Sequence, residues 1–384
     1  MTYTLIENID LVTLSSVEKD YGILLNEQQI EAVFPMTQKP TISEAVVYDG
    51  RGAWAMAGLI DLHIHGMAGH GPELGTPQEL WAMSEALAQR GVTSFCPTIY
   101  CARPEEMKKQ IRSLLPALGQ EKGAQILGFH LEGPFISPQK PGVMKPQDIS
   151  PADVRIMEEL YEAAEGKIAC MTLAPELENI APVVEFCLRH NVVPQAGHTN
   201  ATYEEFCRSI DMGIKHATHA FNAMSPFTQR APGASGAVLF REDLSCEIIA
   251  DGVHIHPHLV SFLRRVKPAE KIILVTDALT PTEQEKGPFI ANGEEVIFEG
   301  GVWRRKADRV IAGSALTMTK GIKNLVDWGY DLSQAVRCAS ANPAALLAQN
   351  TRGQLLSGFE ADITLLAKDF TVQDTFIGGK QIAR

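Results

Sequence analysis

The chain has 384 residues, 45% hydrophobic and 21% charged, the proportions of an ordinary globular protein with room for one large α/β barrel or two medium domains. Its formal net charge is −12 and its Lys and Arg form no cluster, which argues against nucleic acid or an anionic membrane as the main partner. No window reaches the ~18 apolar residues a membrane span needs, no signal peptide is visible, and the scattered cysteines without a C-x-x-C pair read as reduced thiols, so a cytoplasmic protein is expected.

Residues 1–56 hold short β-like runs (Thr4–Ile6, Tyr21–Leu25, Ile30–Phe34, Ala45–Tyr48) and no sustained helical period. From Ala57 the pattern becomes strand, helix, strand. Eight apolar runs have strand length: Gly58–His65, Val92–Ile99, Gln125–Glu132, Lys167–Ala174, Val192–His198, Ile214–His219, Cys246–Asp251 and Lys271–Asp277. Helical stripes fill most gaps. Thr76-Pro77-Gln78-Glu79 reads as a capping box ahead of Leu80, Met83 and Leu87. Met107, Ile111, Leu114 and Leu118 stripe a second helix, Ser150-Pro151-Ala152-Asp153 caps a third, and Gly213 closes a later one that begins near Tyr203.

This alternation predicts a (β/α)8 TIM-like barrel over residues 57–352. The runner-up, an open doubly wound sheet, would more often carry a Gly-rich phosphate turn, and no such sequence is present. Asn292-Gly293 predicts a hairpin inserted within 283–311, and helices resume at Leu316–Trp328 and Leu332–Leu347. The tail, 353–384, turns β again and is expected to join 1–56 in one small β-sandwich domain.

The polar ends of the strands carry the chemistry. His63 and His65 share one face of the first run, because side chains alternate along a strand. Such a pair suits a metal, although two histidines can also simply hydrogen-bond at a strand end. The recurrence of polar ends favours the metal: Glu132, His198, His219, Asp251 with His254, and Asp277 each follow an apolar run. In a barrel those ends meet at one rim. Imidazole and carboxylate donors without thiolate suit a catalytic Zn2+ or Fe2+ site with an open position. His130 and His216 read as supporting residues.

The order H-x-H, Glu, His, His, Asp over eight βα units resembles the amidohydrolase superfamily of metal-dependent hydrolases. More narrowly, Gly128-Phe-His-Leu-Glu-Gly-Pro-Phe135, Ala196-Gly-His-Thr-Asn-Ala201, Thr218-His-Ala-Phe-Asn-Ala-Met224, Arg230-Ala-Pro-Gly233, Ile249-Ala-Asp-Gly-Val-His254 and Val275-Thr-Asp-Ala278 are similar to its N-acetylglucosamine-6-phosphate deacetylase branch. That resemblance implies Glu132, His198 and His219 as the main ligands of a divalent metal. It implies His63, His65 and Asp277 beside them for one or two metals per subunit, with Asp277 also the acid/base. Asn222 and Ala223 would touch the sugar, Arg230 and His254 the phosphate, and Ile311, Ala312 and Gly313 the acetyl end. The branch usually has a Gly-x-His-x-Pro segment, where this chain reads Gly142-Val143-Met144-Lys145-Pro146, so Val143 and Met144 would line the substrate in its place. The branch also tends to form homodimers with sites near the interface.

The implied reaction is hydrolysis of the N-acetyl group of an amino-sugar 6-phosphate. The N-acetylgalactosamine 6-phosphate epimer is an alternative. A cyclic amide hydrolase of the superfamily often uses a carboxylated Lys, and strand four ends without one, at Leu173-Ala174-Pro175. A non-catalytic scaffold would be expected to lose ligands, whereas this chain keeps all six.

Overall fold

A computed structural model describes residues 3–41 and 44–383, so the outermost residues of the expected β domain, Met1, Thr2 and Arg384, lie outside it. Eight parallel strands follow one another around a barrel: Leu59–Ile64, Val92–Ile99, Phe129–Glu132, Ile168–Leu173, Val193–Ala196, His216–Ala217, Ser245–Ile249 and Ile272–Val275. A two-residue strand, Gln125–Ile126, pairs beside the second. The first and eighth strands are joined at their C-terminal ends, where the Asp277 amide donates to the His63 carbonyl at 2.8 Å and the His65 amide to the Ala278 carbonyl at 2.9 Å.

Every residue of the first, second and eighth strands is buried, as expected for strands with helices outside and a packed interior. The interior beneath the rim is polar but connected. His130 Nε2 lies 2.8 Å from the Thr172 hydroxyl, which lies 2.7 Å from that of Thr218, which donates to Gln195 Oε1 at 3.0 Å. Phe129 opens the third strand and is fully buried in the main apolar cluster. Phe129→Ala is expected to cost ~3–5 kcal/mol, read from the denaturant midpoint; a loss under ~1 kcal/mol would mean that the neighbours collapse into the space.

The two chain ends meet in one seven-stranded sheet, in which Ile363–Leu366 pairs antiparallel with Ala45–Ala57 and Tyr3–Val12 pairs parallel with that same strand. The insertion after the eighth strand is more than the expected hairpin. It is a four-stranded sheet, Ile290–Ala291, Glu294–Glu299, Val302–Arg305 and Ile311–Ser314. Its last strand passes against the Asp277 carbonyl, and a Cβ at Gly313, whose φ is 156°, would stand 2.9 Å from that oxygen. The helix Pro77–Ala88 forms, but the expected capping box does not: the Glu79 carboxylate instead accepts from His70 Nδ1 at 2.7 Å. Among the described residues no helix is long and apolar enough to cross a membrane.

Candidate metal centre and substrate cleft

The residues expected at strand ends converge, but several sit beyond the strands, three of them in left-handed turns. His198, His219 and Asp277 each lie two residues past the last laddered residue, Ala196, Ala217 and Val275. All three have positive φ, 46°, 25° and 50°. That left-handed turn folds the chain back over the rim and costs on the order of 1–3 kcal/mol per residue, which the surrounding packing must offset.

Glu132 Oε1 lies 3.0 Å from the Nε2 atoms of both His198 and His219, and these nitrogens are 3.1 Å apart. His65 Nε2 lies 3.3 Å from Glu132 Oε2 and 3.4 Å from Asp277 Oδ1. His63 Nε2 lies 3.6 Å from the same two carboxylates and has no hydrogen-bond partner among the described residues. The far nitrogens explain this orientation. Nδ1 of His63 donates to Glu247 at 3.1 Å, that of His65 to the Thr98 carbonyl at 3.2 Å, and that of His198 to the Lys140 carbonyl at 2.9 Å. An imidazole whose Nδ1 carries the proton presents a lone pair at Nε2. The Nε2 atoms of these three rings therefore face two carboxylates, and each offers a lone pair when its ring is neutral.

The field there is strongly negative. Burial works against charge on His63, yet Glu132, Glu247 and Asp277 outweigh it and push its pKa up to about 10. Burial likewise opposes ionisation of Glu132 and Glu247, and the facing imidazoles hold both well below the usual carboxylate range. A divalent cation supplies the positive charge this field calls for, with unpartnered nitrogen and carboxylate oxygen as donors, so the residues present fit one. Ligand atoms of His63, Glu132 and His219, and again of His63, His65 and Asp277, lie within 4.8 Å of one another. His130 faces this centre but gives both nitrogens away, to the Leu62 carbonyl and to Thr172, and burial, with charge on His63, drives its pKa down to about 3.

A cavity of 440 Å3 opens above the centre, enough for a sugar phosphate. His65, Glu132, His198, His219 and Asp277 form its floor, and Val143, Met144, Asn222, Ala223, His254, Ile311, Ala312 and Gly313 line its walls. Asp251 does not line it but holds His254, accepting from its Nδ1 at 2.5 Å and its amide at 2.8 Å. Arg230 is not brought there. It lies exposed on the loop before the helix Gly233–Phe240, with no hydrogen bond or ion pair among the described residues. The strand-end reading missed Glu247 and Tyr100. Glu247 is a lone carboxylate in the apolar run Ser245–Ala250, and Tyr100 follows the second strand by one residue and stacks on His65 at 3.8 Å.

The model of the amidohydrolase family matches residues 54–382. The chain belongs to that family. It is 33% identical to the N-acetylglucosamine-6-phosphate deacetylase of Haemophilus influenzae, with 99% of both chains covered. It is 31% identical to the N-acetylgalactosamine-6-phosphate deacetylase of Escherichia coli, over 84% of this chain and 85% of that one. A solved structure of the N-acetyl-D-glucosamine-6-phosphate deacetylase of Mycobacterium smegmatis, a mutant in complex with N-acetyl-D-glucosamine-6-phosphate, matches all of both chains with a TM-score of 0.91 at 27% identity. The family likeness thus extends over the barrel and the sheet made by the chain ends.

Proposed function

We propose that the chain hydrolyses the N-acetyl group of N-acetylglucosamine 6-phosphate, giving glucosamine 6-phosphate and acetate. The observation that carries this reading is Asp277 facing the Glu132–His198–His219 cluster across the floor of a cleft of sugar-phosphate size. One or two divalent cations per subunit, Zn2+ or Fe2+, held by Glu132, His198 and His219 with His63, His65 and Asp277 beside them, supply Lewis acidity to the amide carbonyl and to water.

The chain's own groups do the rest. Burial raises the pKa of Asp277, but the neighbouring His65 and His63 outweigh it and hold the carboxyl below its ordinary value, so it starts ionised. It accepts the proton of the attacking water and passes it to the amide nitrogen as the C–N bond breaks. Asn222 and Ala223 orient the sugar; Val143, Met144, Ile311, Ala312 and Gly313 shape the acyl end.

The test is turnover of a panel of N-acetylated sugars with and without 6-phosphate. Hydrolysis confined to unphosphorylated sugars or to cyclic amides would sink the reading. Preference for the galactosamine epimer would support the second reading, with which the Escherichia coli relative is compatible.

We infer that His254 and Arg230 hold the phosphate and that Arg230 reaches the cleft of a neighbouring subunit in a homodimer. Its exposure and its lack of an ion pair among the described residues support this. A charge-assisted contact is worth ~1.5–3 kcal/mol, so Arg230→Ala should lower kcat/KM for the phosphorylated sugar about 10–100-fold and leave the unphosphorylated sugar nearly unchanged. Mixing Arg230→Ala chains with Asp277→Asn chains should restore activity in mixed dimers; no recovery would place both residues at one chain's site.

A further inference from the structure

Glu247 is a buried carboxylate beside the metal centre whose role the proposed chemistry leaves unexplained. It sits on the seventh barrel strand, inside the barrel below the rim, and is fully buried. A carboxylate taken that far from water is costly unless its oxygens are satisfied. Oε2 meets two donors, His63 Nδ1 at 3.1 Å and the His219 amide at 3.0 Å. Oε1 lies 3.5 Å from His216 Nε2, a nitrogen with no hydrogen-bond partner among the described residues.

Both contacts of Oε2 end on groups of the metal centre. An ionised carboxylate only accepts, so a proton is fixed on His63 Nδ1, and Nε2, turned to the centre, is the nitrogen that would give up its proton to a cation. His219 differs from the other site histidines. Its Nδ1 has no partner among the described residues, so no far-side bond orients its ring. What holds it is its backbone, at a φ of 25°, through the amide that Glu247 accepts. His65 and His198 rest on neutral carbonyls, whereas His63 rests on a charge, which raises its basicity as a ligand.

We propose that Glu247 is a positioning residue for the metal centre, fixing the tautomer of His63 and the turn that carries His219 through one carboxylate oxygen. This rests on the metal-dependent reading above but not on the substrate. A carboxylate kept only for folding would show itself in stability and leave metal affinity alone.

Titrating metal-free protein with Co2+, followed by its visible absorption, separates these roles, because the spectrum reads coordination whether or not any acyl sugar is hydrolysed. Glu247→Gln is nearly isosteric and uncharged. It should raise the Co2+ dissociation constant about 10–100-fold and alter the band shape, with far-UV circular dichroism unchanged. His63→Asn should weaken binding by itself, and the double variant should lose clearly less than the two single losses combined, because part of the effect of Glu247 passes through His63 and only the part through the His219 turn remains. Glu247→Asp, should the Gln variant fail to fold, keeps the charge but is one methylene too short to bring an oxygen to both donors, and it should bind at least tenfold more weakly than wild type. Affinity within twofold of wild type in the folded Gln or Asp variant would overturn the inference, as would a full additive loss in the double variant. A wild-type protein that binds no Co2+ would overturn the metal-dependent reading together with it.

Discussion

Replacing Asp277 by Asn is expected to leave a folded protein, still able to bind metal, whose turnover falls by at least ~10²–10⁴-fold, the general acid–base contribution. The side chain keeps its shape and its place: the backbone amide of residue 277 still bonds the His63 carbonyl, and the left-handed turn is one Asn tolerates well. What is lost is the proton acceptor, 3.4 Å from His65 Nε2 and lining the substrate cavity. Steady-state kinetics alongside metal analysis checks this. Turnover within a few-fold of wild type, with metal retained, would remove Asp277 from the mechanism.

The second large effect is expected at Glu132. Its Oε1 is 3.0 Å from two imidazole nitrogens and its Oε2 is 3.3 Å from a third. Glu132→Ala removes the carboxylate shared by His198, His219 and His65, so bound metal and deacetylase activity should both fall below detection. Chelation of the wild type should give the same inactive state. In both cases far-UV circular dichroism should stay nearly unchanged, because the ligands sit on the rim of a large apolar core rather than within a metal-folded domain. A Glu132→Ala protein that keeps stoichiometric metal would show that the remaining histidines suffice; one that unfolds would make the ion structural. His63→Ala separates one metal from two: unchanged metal content and activity would leave the rim cluster as the whole centre.

Much of this architecture was legible from the chain. Strands buried on both faces read as unbroken apolar runs, and all eight appear within a few residues of their expected ends. The polar residues that terminate six of the eight runs were therefore visible as well, and they meet at the rim because parallel strands all end there. The family motifs suggested roles that spacing alone does not supply, such as acid/base for Asp277, which the variant above tests.

Other features were not legible, for reasons that differ. The ends of strands five, six and eight read as continuous runs through His198, His219 and Asp277, because periodicity records which residues are apolar and not the sign of φ. Thr76-Pro77-Gln78-Glu79 carried every mark of a capping box, but a residue outside the motif, His70, takes the Glu79 carboxylate. The four-stranded insertion showed only its Asn292-Gly293 turn, since short half-exposed strands lack a strong alternation.

The sequence by itself determined the barrel, the joined β ends and the polar residues that crown six of the eight strands, since burial periodicity is a local property that a single chain displays. Only the tertiary structure decided that Glu247 reaches His63 across 184 residues of chain, that Tyr100 stacks on His65, and that Arg230 lies outside the cleft of its own chain. Those facts are distances between side chains on different strands and loops, and they are set by barrel closure and turn geometry rather than by any local pattern.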